Sequence, residues 1–354
     1  MAFLQIKNVK IKAIAAAVPD QIFHNKDYEW ISEKEREILM ETTGIRERRF
    51  TKPGTCTSDM GVFAADKLIS ELEWNKNEIE LLVFISQSRD YVLPNTACLI
   101  QSRLGLSKNC MAFDIPLGCS GYVYGLSVVA SLLSHGNIKK ALLIAGDVAS
   151  YDLSYTDKSA YPLFGDAVSV TALEYTGNNE DVFVFNLQTD GSGYEAIIIP
   201  DGGNRNNITE ESLKQIQYEE GIIRTRRNIF LDGMKIFEFT LREVAKNIKQ
   251  LLAFLNKTTN DYDYFIFHQA NLIMNETVRK QLKLTEDKVP YSLGNFGNTS
   301  SASIPLTIVT QLNQKANTEN LNYIFTGFGV GLSWASVSVN LDKIYCPEIY
   351  IHNK

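Results

Sequence analysis

Apolar and polar positions alternate along residues 5–18, with Ile6, Val9, Ile11 and Ile14 set among small residues, which predicts a strand ending at Pro19-Asp20. Residues 25–40 carry dense charge, with Trp30, Ile31, Ile38 and Leu39 at loosely helical spacing, so one or two surface helices are expected there. Met60, Ala64, Leu68 and Leu72 share one face of a helix over residues 57–72, capped by Thr57 or Ser58. Residues 79–86 are almost continuously apolar, the signature of a strand covered on both faces, as in a parallel sheet. A helix follows near residues 97–104. Residues 112–126 then read as a buried strand, a tight turn holding Cys119, and a helix from about Gly121 to Ser134. Further strands are expected at 140–146, 165–173 and 182–189, and surface loops over 190–207. Phe237, Leu241, Val244, Ile248, Leu251 and Leu255 define a long amphipathic helix opened by Asp232-Gly233. A short strand at 264–267 ends on His268, and helical spacing resumes over 271–282.

Strands interleaved with helices indicate an α/β fold with crossover connections. The polar stretch 175–181 is the expected boundary between halves, and both halves contain strand, polar residue, helix. Gly165-Asp166-Ala167-Val168 and Gly327-Phe328-Gly329-Val330 each lead from glycine into a terminal strand, a weak sign of duplication.

Composition narrows the classes. The chain has 354 residues, 45% hydrophobic and 21% charged, enough for two domains or one large two-part fold. A net charge of −6 argues against a general nucleic-acid binder. The basic clusters 46–49 and 224–227 read as solvated surface or as local contacts with an anion. No stretch approaches the roughly 20 apolar residues that span a bilayer, and no leader pattern is present, so the expectation is a cytoplasmic protein without a membrane partner. Five scattered cysteines without a C-x-x-C pair fit a reducing compartment and point to no metal site and no disulfide framework.

Cys119 at a helix start is a candidate nucleophile, because free N–H groups and the helix dipole favour thiolate there; a small core cysteine is the alternative. Of four histidines, His24, His135 and His352 read as surface or capping residues. His268, where an apolar strand stops, is placed as ligand-contacting residues are in open sheets, or is a satisfied core histidine. The Gly-Asn-Ser-rich loop at 293–305 reads as a turn and a helix capped by Ser300 or Ser301; its Asn298 amide is also a neutral donor able to hold a developing oxyanion. Gly327-Phe328-Gly329-Val330-Gly331 is no dinucleotide fingerprint, since a strand pattern follows it. Asp201-Gly202-Gly203-Asn204 lacks the spacing of a calcium loop.

Gly118-Cys119-Ser120-Gly121, His268-Gln269-Ala270-Asn271, Gly297-Asn298-Thr299-Ser300-Ser301-Ala302-Ser303-Ile304-Pro305 and Gly327-Phe328-Gly329-Val330-Gly331-Leu332-Ser333-Trp334 resemble the motifs of the 3-oxoacyl-acyl-carrier-protein synthase III (beta-ketoacyl synthase III) family. Thr43-Gly44-Ile45-Arg46-Glu47-Arg48 and Asp232-Gly233-Met234-Lys235-Ile236-Phe237 add to the resemblance, which runs in family order from about residue 40 to 338. It implies a thiolase-like fold of two similar α/β halves, 1–176 and 177–354, layered α-β-α-β-α, in a homodimer without a cofactor. It also implies an acyltransferase: Cys119 takes an acyl group from acyl-CoA, with an oxyanion hole of the Cys119 and Val330 backbone N–H groups. His268 and Asn298 then stabilise the enolate of decarboxylated malonyl-acyl carrier protein. Trp30, Leu93, Phe328 and Gly329 are the substrate-binding candidates the resemblance carries over.

Three departures stand out. Leu272-Ile273 replaces a Leu-Arg whose arginine helps bind the carrier protein, and Thr42 replaces an arginine associated with CoA, leaving Trp30 to contact adenine. Leu93 stands where well-known members carry a phenylalanine that reaches into the partner's acyl pocket. Two rivals follow: an acyltransferase or non-decarboxylative condensing enzyme on the same acyl-cysteine, and a catalytically silent binding subunit.

Overall fold

In the computed structural model, which describes residues 2–353, two sheets carry most of the strands. The first has the order β17 (Tyr350–His352), β2 (Val9–Pro19), β8 (Ala167–Tyr175), β7 (Lys140–Asp147), β5 (Leu81–Ile85), β6 (Met111–Ile115). The second has the order β1 (Ala2–Lys7), β9 (Val182–Thr189), β16 (Ser333–Asp342), β15 (Asn320–Gly329), β14 (Tyr264–Phe267). Three small ladders complete the strands: β3 (Ile22–His24) with β4 (Glu47–Arg49), β10 (Ile197–Ile198) with β13 (Phe230–Leu231), and β11 (Ile216–Glu219) with β12 (Ile222–Arg224).

The two sheets repeat one topology. β2 is antiparallel to β8, β8 antiparallel to β7, and β7 parallel to β5. In the same way β9 is antiparallel to β16, β16 to β15, and β15 is parallel to β14.

Five layers result. Helices α4 (Gly121–Leu133) and α9 (Ser303–Gln311) lie between the sheets, where Tyr122, Leu126, Ile304 and Ile308 join side chains from both in one core. A helix buried on all sides must be apolar all round, and α4 is. α2 (Thr57–Glu71) and α3 (Thr96–Arg103) cover the outer face of the first sheet. α5 (Gly233–Phe239), α6 (Ala245–Phe254) and α7 (Leu272–Gln281) cover the second. β5, buried at every position, is apolar for the same reason as α4.

Several expectations are corrected. The opening strand is two strands, broken at Asn8 with φ 69°, and they serve different sheets: β1 pairs with β9, β2 with β8. The long helix over 237–255 contains a π turn at Thr240–Val244 between α5 and α6. α2 is preceded by Cys56, whose N–H donates to the Asp59 carboxylate at 2.7 Å, so neither Thr57 nor Ser58 is its cap. α9 starts at Ser303 after a short 3-10 turn, so Ser300 and Ser301 do not cap it. The basic clusters are not solvated throughout: Arg48 is 1% exposed and Arg224 4%. Arg224 pairs with buried Asp157 at 2.8 Å, and Arg226 holds Asp201, the acid of the calcium-loop lookalike. His352 is buried as well.

Candidate active site

β6 ends at Ile115, and the turn that follows closes with Gly121 N–H donating to Gly118 O at 2.7 Å before α4 begins. Cys119 therefore sits at the foot of α4, as expected, with its side chain buried. Its protonation state differs from the expectation. Burial pushes the thiol up to about 11, and the charge of Asp147 adds to this; a backbone hydrogen bond from Val330 acts in the opposite direction without winning. The resting group is therefore a thiol.

The second half packs directly on this turn. A Cβ on Gly329 would lie 2.7 Å from Cys119 Cβ and 2.8 Å from Sγ, and one on Gly327 would lie 2.9 Å from Cys119 O. Only glycine lets the end of β15 approach Cys119 this closely. Ser120 and Ser333 hydroxyls meet at 2.6 Å, tying α4 to the start of β16.

His268 follows β14, its N–H donating to Thr326 O at 2.8 Å. Nδ1 lies 2.8 Å from Ser303 Oγ, and the ring stands edge-on to Phe328 with centroids 5.5 Å apart. Burial lowers its pKa to about 3, against a weaker opposing bond to the Ser300 backbone, so the imidazole is neutral. Asn298 is held from both sides, its N–H donating to Leu163 O at 2.8 Å and its O accepting from Gly165 N at 3.0 Å. Ser300 N–H donates to Asn298 Oδ1 at 3.0 Å, which turns the other end of the amide, the NH₂ donor, away from the loop.

Cys119, His268, Asn298, Phe328, Gly329 and Val330 all line one pocket of about 1020 Å³, its open mouth included. That is at the scale of small-molecule sites. The structure does not bring the other two candidates to it. Trp30 donates from Nε1 to Gly221 O at 3.0 Å, anchoring the turn between β11 and β12. Leu93 is 85% exposed on a loop beside Tyr91 and Val92, which are also exposed.

The pocket also holds residues that the pattern analysis passed over. Ile197, Ile198 and Ile199, assigned to surface loops, form part of its wall together with Ile229 and Leu231. Asp147 ends β7 and accepts from Gln87 N at 2.6 Å, Ser86 Oγ at 3.0 Å and Ser301 Oγ at 3.3 Å. The signal was available, because a polar residue ending an apolar strand is what singled out His268.

Among the described residues no group of His, Cys, Asp or Glu side chains could hold a metal ion. The chemistry within reach is that of a thiol, a neutral imidazole and an amide donor around an apolar pocket.

Comparison with known proteins bears on the same residues. The family model described as 3-oxoacyl-[acyl-carrier-protein] synthase III matches residues 113–191, and its C-terminal counterpart matches residues 252–341. A putative 3-oxoacyl-[acyl-carrier-protein] synthase 3 of Campylobacter jejuni is 33% identical, over 98% of this chain and 97% of that protein. The beta-ketoacyl-[acyl-carrier-protein] synthase III of Clostridioides difficile is 32% identical over 92% of this chain and 96% of its own. Among solved structures, a 3-oxoacyl-(acyl-carrier protein) synthase from Burkholderia xenovorans is 34% identical, with 99% of each chain covered and a TM-score of 0.93.

Proposed function

The chain belongs to the 3-oxoacyl-[acyl-carrier-protein] synthase III family, and on that premise we propose that Cys119, His268 and Asn298 carry out a decarboxylative condensation on an acyl-enzyme. The observation that carries the reading is the convergence of these three side chains, from separate elements of both halves, on one pocket.

In the first half-reaction Cys119 Sγ attacks the carbonyl of an acyl-CoA. The tetrahedral oxyanion is met by the Cys119 and Val330 backbone N–H groups, CoA leaves as its thiol with the proton that Cys119 gives up, and the acyl group stays as a Cys119 thioester. In the second, malonyl-acyl carrier protein loses CO₂. The enolate oxygen accepts hydrogen bonds from His268 Nε2 and Asn298 Nδ2, and its carbon attacks the acyl-Cys119 carbonyl. Formation of the new carbon–carbon bond breaks the thioester and expels Cys119 as thiolate, which takes a proton from solvent to restore the thiol, and 3-oxoacyl-acyl carrier protein is released.

A neutral imidazole suits this role, since with Nδ1 facing Ser303 the tautomer protonated on Nε2 presents a donor without a buried charge. Removing one such donor typically costs on the order of 100- to 1000-fold in rate. Phe328 and Gly329 border the acyl group. Residues 1–176 and 177–354 act as the two halves of one catalytic unit, each giving its outermost strand, β1 or β17, to the other's sheet. The protein works as a homodimer in the cytoplasm, with Leu93 directed to its partner; none of its described helices is long and apolar enough to cross a membrane.

Intact-protein mass spectrometry after incubation with an acyl-CoA panel, followed by release of labelled CO₂ from malonyl-acyl carrier protein, tests both half-reactions. Acyl-Cys119 formation without CO₂ release or a 3-oxoacyl product would leave an acyltransferase instead. No acyl adduct at all would leave a binding subunit.

A further inference from the structure

The pocket is not uniformly lined. Its lining combines apolar side chains, among them Ile197, Ile199, Ile229 and Leu231, with the polar Gln87, Ser88, Asp147 and Asp152.

The polar groups are not in equal condition. Asp147 is saturated by the donors given above. Ser88 Oγ accepts from Val148 N at 2.8 Å and meets Thr57 Oγ1 at 2.8 Å. The Asp152 carboxylate, by contrast, has no hydrogen bond or ion pair among the described residues.

Its main chain is firmly held. Asp152 ends the 3-10 turn Ala149–Asp152 just after β7, and its carbonyl accepts from Ile229 N at 2.9 Å and Asn228 Nδ2 at 3.3 Å. The residue is thus pinned to Asn228 and Ile229 while its charged end is left open. Burial raises its pKa; the charge of Arg227 counters this without pairing, because Arg227 Nη1 is engaged by Asp201 O at 2.9 Å. The Gln87 side chain is exposed and makes no hydrogen bond among the described residues, and its Oε1 lies against Gly118, where a Cβ would come within 2.2 Å of it.

Asp152 is half-buried and Gln87 exposed, so water meets both in the open pocket, and an acyl chain that displaces this water leaves them with a desolvation cost unless it supplies their partners. For a pocket that takes an acyl group, the missing partner is a donor on the acyl chain.

We infer that Asp152, assisted by the Gln87 amide, is a specificity-determining residue that selects acyl groups bearing a hydroxyl or amino donor over plain alkyl chains. This rests on the reading of Cys119 as the acyl acceptor, and it adds the substrate class to that reading.

The test is competition on the full-length enzyme with isosteric pairs in which a hydroxyl replaces a methyl. The pairs are 3-hydroxybutanoyl-CoA against 3-methylbutanoyl-CoA, and 6-hydroxyhexanoyl-CoA against heptanoyl-CoA. Equimolar mixtures are read by intact mass as the ratio of the two Cys119 adducts at early times. A hydrogen bond to a charged acceptor corresponds to a preference on the order of 10- to 100-fold for the hydroxylated member of at least one pair. Asp152→Asn should shrink the ratio and Asp152→Leu should reverse it. Because both adducts form in one sample, the folded fraction of a variant cancels. Equal or faster acylation by the methyl members of both pairs, or a ratio unchanged in Asp152→Leu, overturns the inference while leaving acyl-Cys119 intact. Failure of every thioester to label Cys119 overturns it together with the reading beneath it.

Discussion

Replacing Gly329 by alanine isolates the contact through which the second half shapes the nucleophile. The added Cβ would stand 2.7 Å from Cys119 Cβ and 2.8 Å from Sγ, at a backbone φ of 154°. Non-bonded carbon contacts settle near 3.5–4.0 Å, so the thiol or the glycine strand must yield by about 1 Å. A displacement of about 1 Å at a reacting atom costs on the order of 100-fold. The same shift moves the adjacent Val330 N–H, and loss of an oxyanion donor, the role proposed for it above, costs a comparable or larger factor. Acylation of Cys119 should therefore fall about 100- to 1000-fold, which corresponds to roughly 3–4 kcal/mol of barrier. The assay is the initial rate of acyl-adduct formation by intact-protein mass spectrometry, with thermal unfolding measured alongside. Gly203→Ala is the control, since a Cβ there meets nothing within 4 Å. Native acylation rates in Gly329→Ala would refute the reasoning, because they would mean that the site tolerates a misplaced thiol or that Cys119 is not the acceptor.

Ser303→Ala should lower CO₂ release from malonyl-acyl carrier protein more than it lowers acylation, because Ser303 Oγ lies 2.8 Å from Nδ1 of His268, the ring proposed to meet the enolate; equal loss of both half-reactions would contradict this. Asp157→Ala leaves Arg224 buried without its partner and should cost about 3–5 kcal/mol in denaturant unfolding. The double variant Asp157→Ala with Arg224→Met should recover most of that, and a double variant no more stable than the single one would show that the pair is not the cause. The His268 imidazole titrates at about 3 in the fold and near 6.5 unfolded, so between those values the unfolded chain binds more protons. Its contribution is complete above about 6.5 and is lost as pH falls towards 3, by up to about 1.4 kcal/mol per pH unit. His268→Asn should flatten the fall in unfolding free energy over that window; an identical slope in both proteins would be inconsistent with a buried neutral imidazole.

Much of this was legible in one dimension. The uninterrupted apolar run of β5, the all-round apolar α4, the turn after β6 that carries Cys119, and His268 after β14 follow from local rules: a strand covered on both faces must be apolar, and chemistry gathers where such strands stop. Cys119, His268 and Asn298 could be picked out, with the turn or strand end that carries each, from residue type and spacing. The buried fates of Arg48, Arg224 and His352 could not, because each depends on a partner far along the chain, Asn25, Asp157 and β2 respectively.

Ile197–Ile199 looked like loop for a similar reason. Their strand partner lies across a long excursion, at Phe230–Leu231, and a two-residue ladder leaves no periodicity to detect. The thiol shows the same division. A cysteine at a helix start is a local fact that favours thiolate, but the second sheet presses Gly327 and Gly329 onto it, and burial pushes its pKa up. The sequence by itself determined most of the long elements and offered Cys119, His268 and Asn298 as candidates. Tertiary structure decided the burial of those side chains, and with it their charge and the shape of the pocket they share, since solvation depends on atoms that the chain brings from elsewhere.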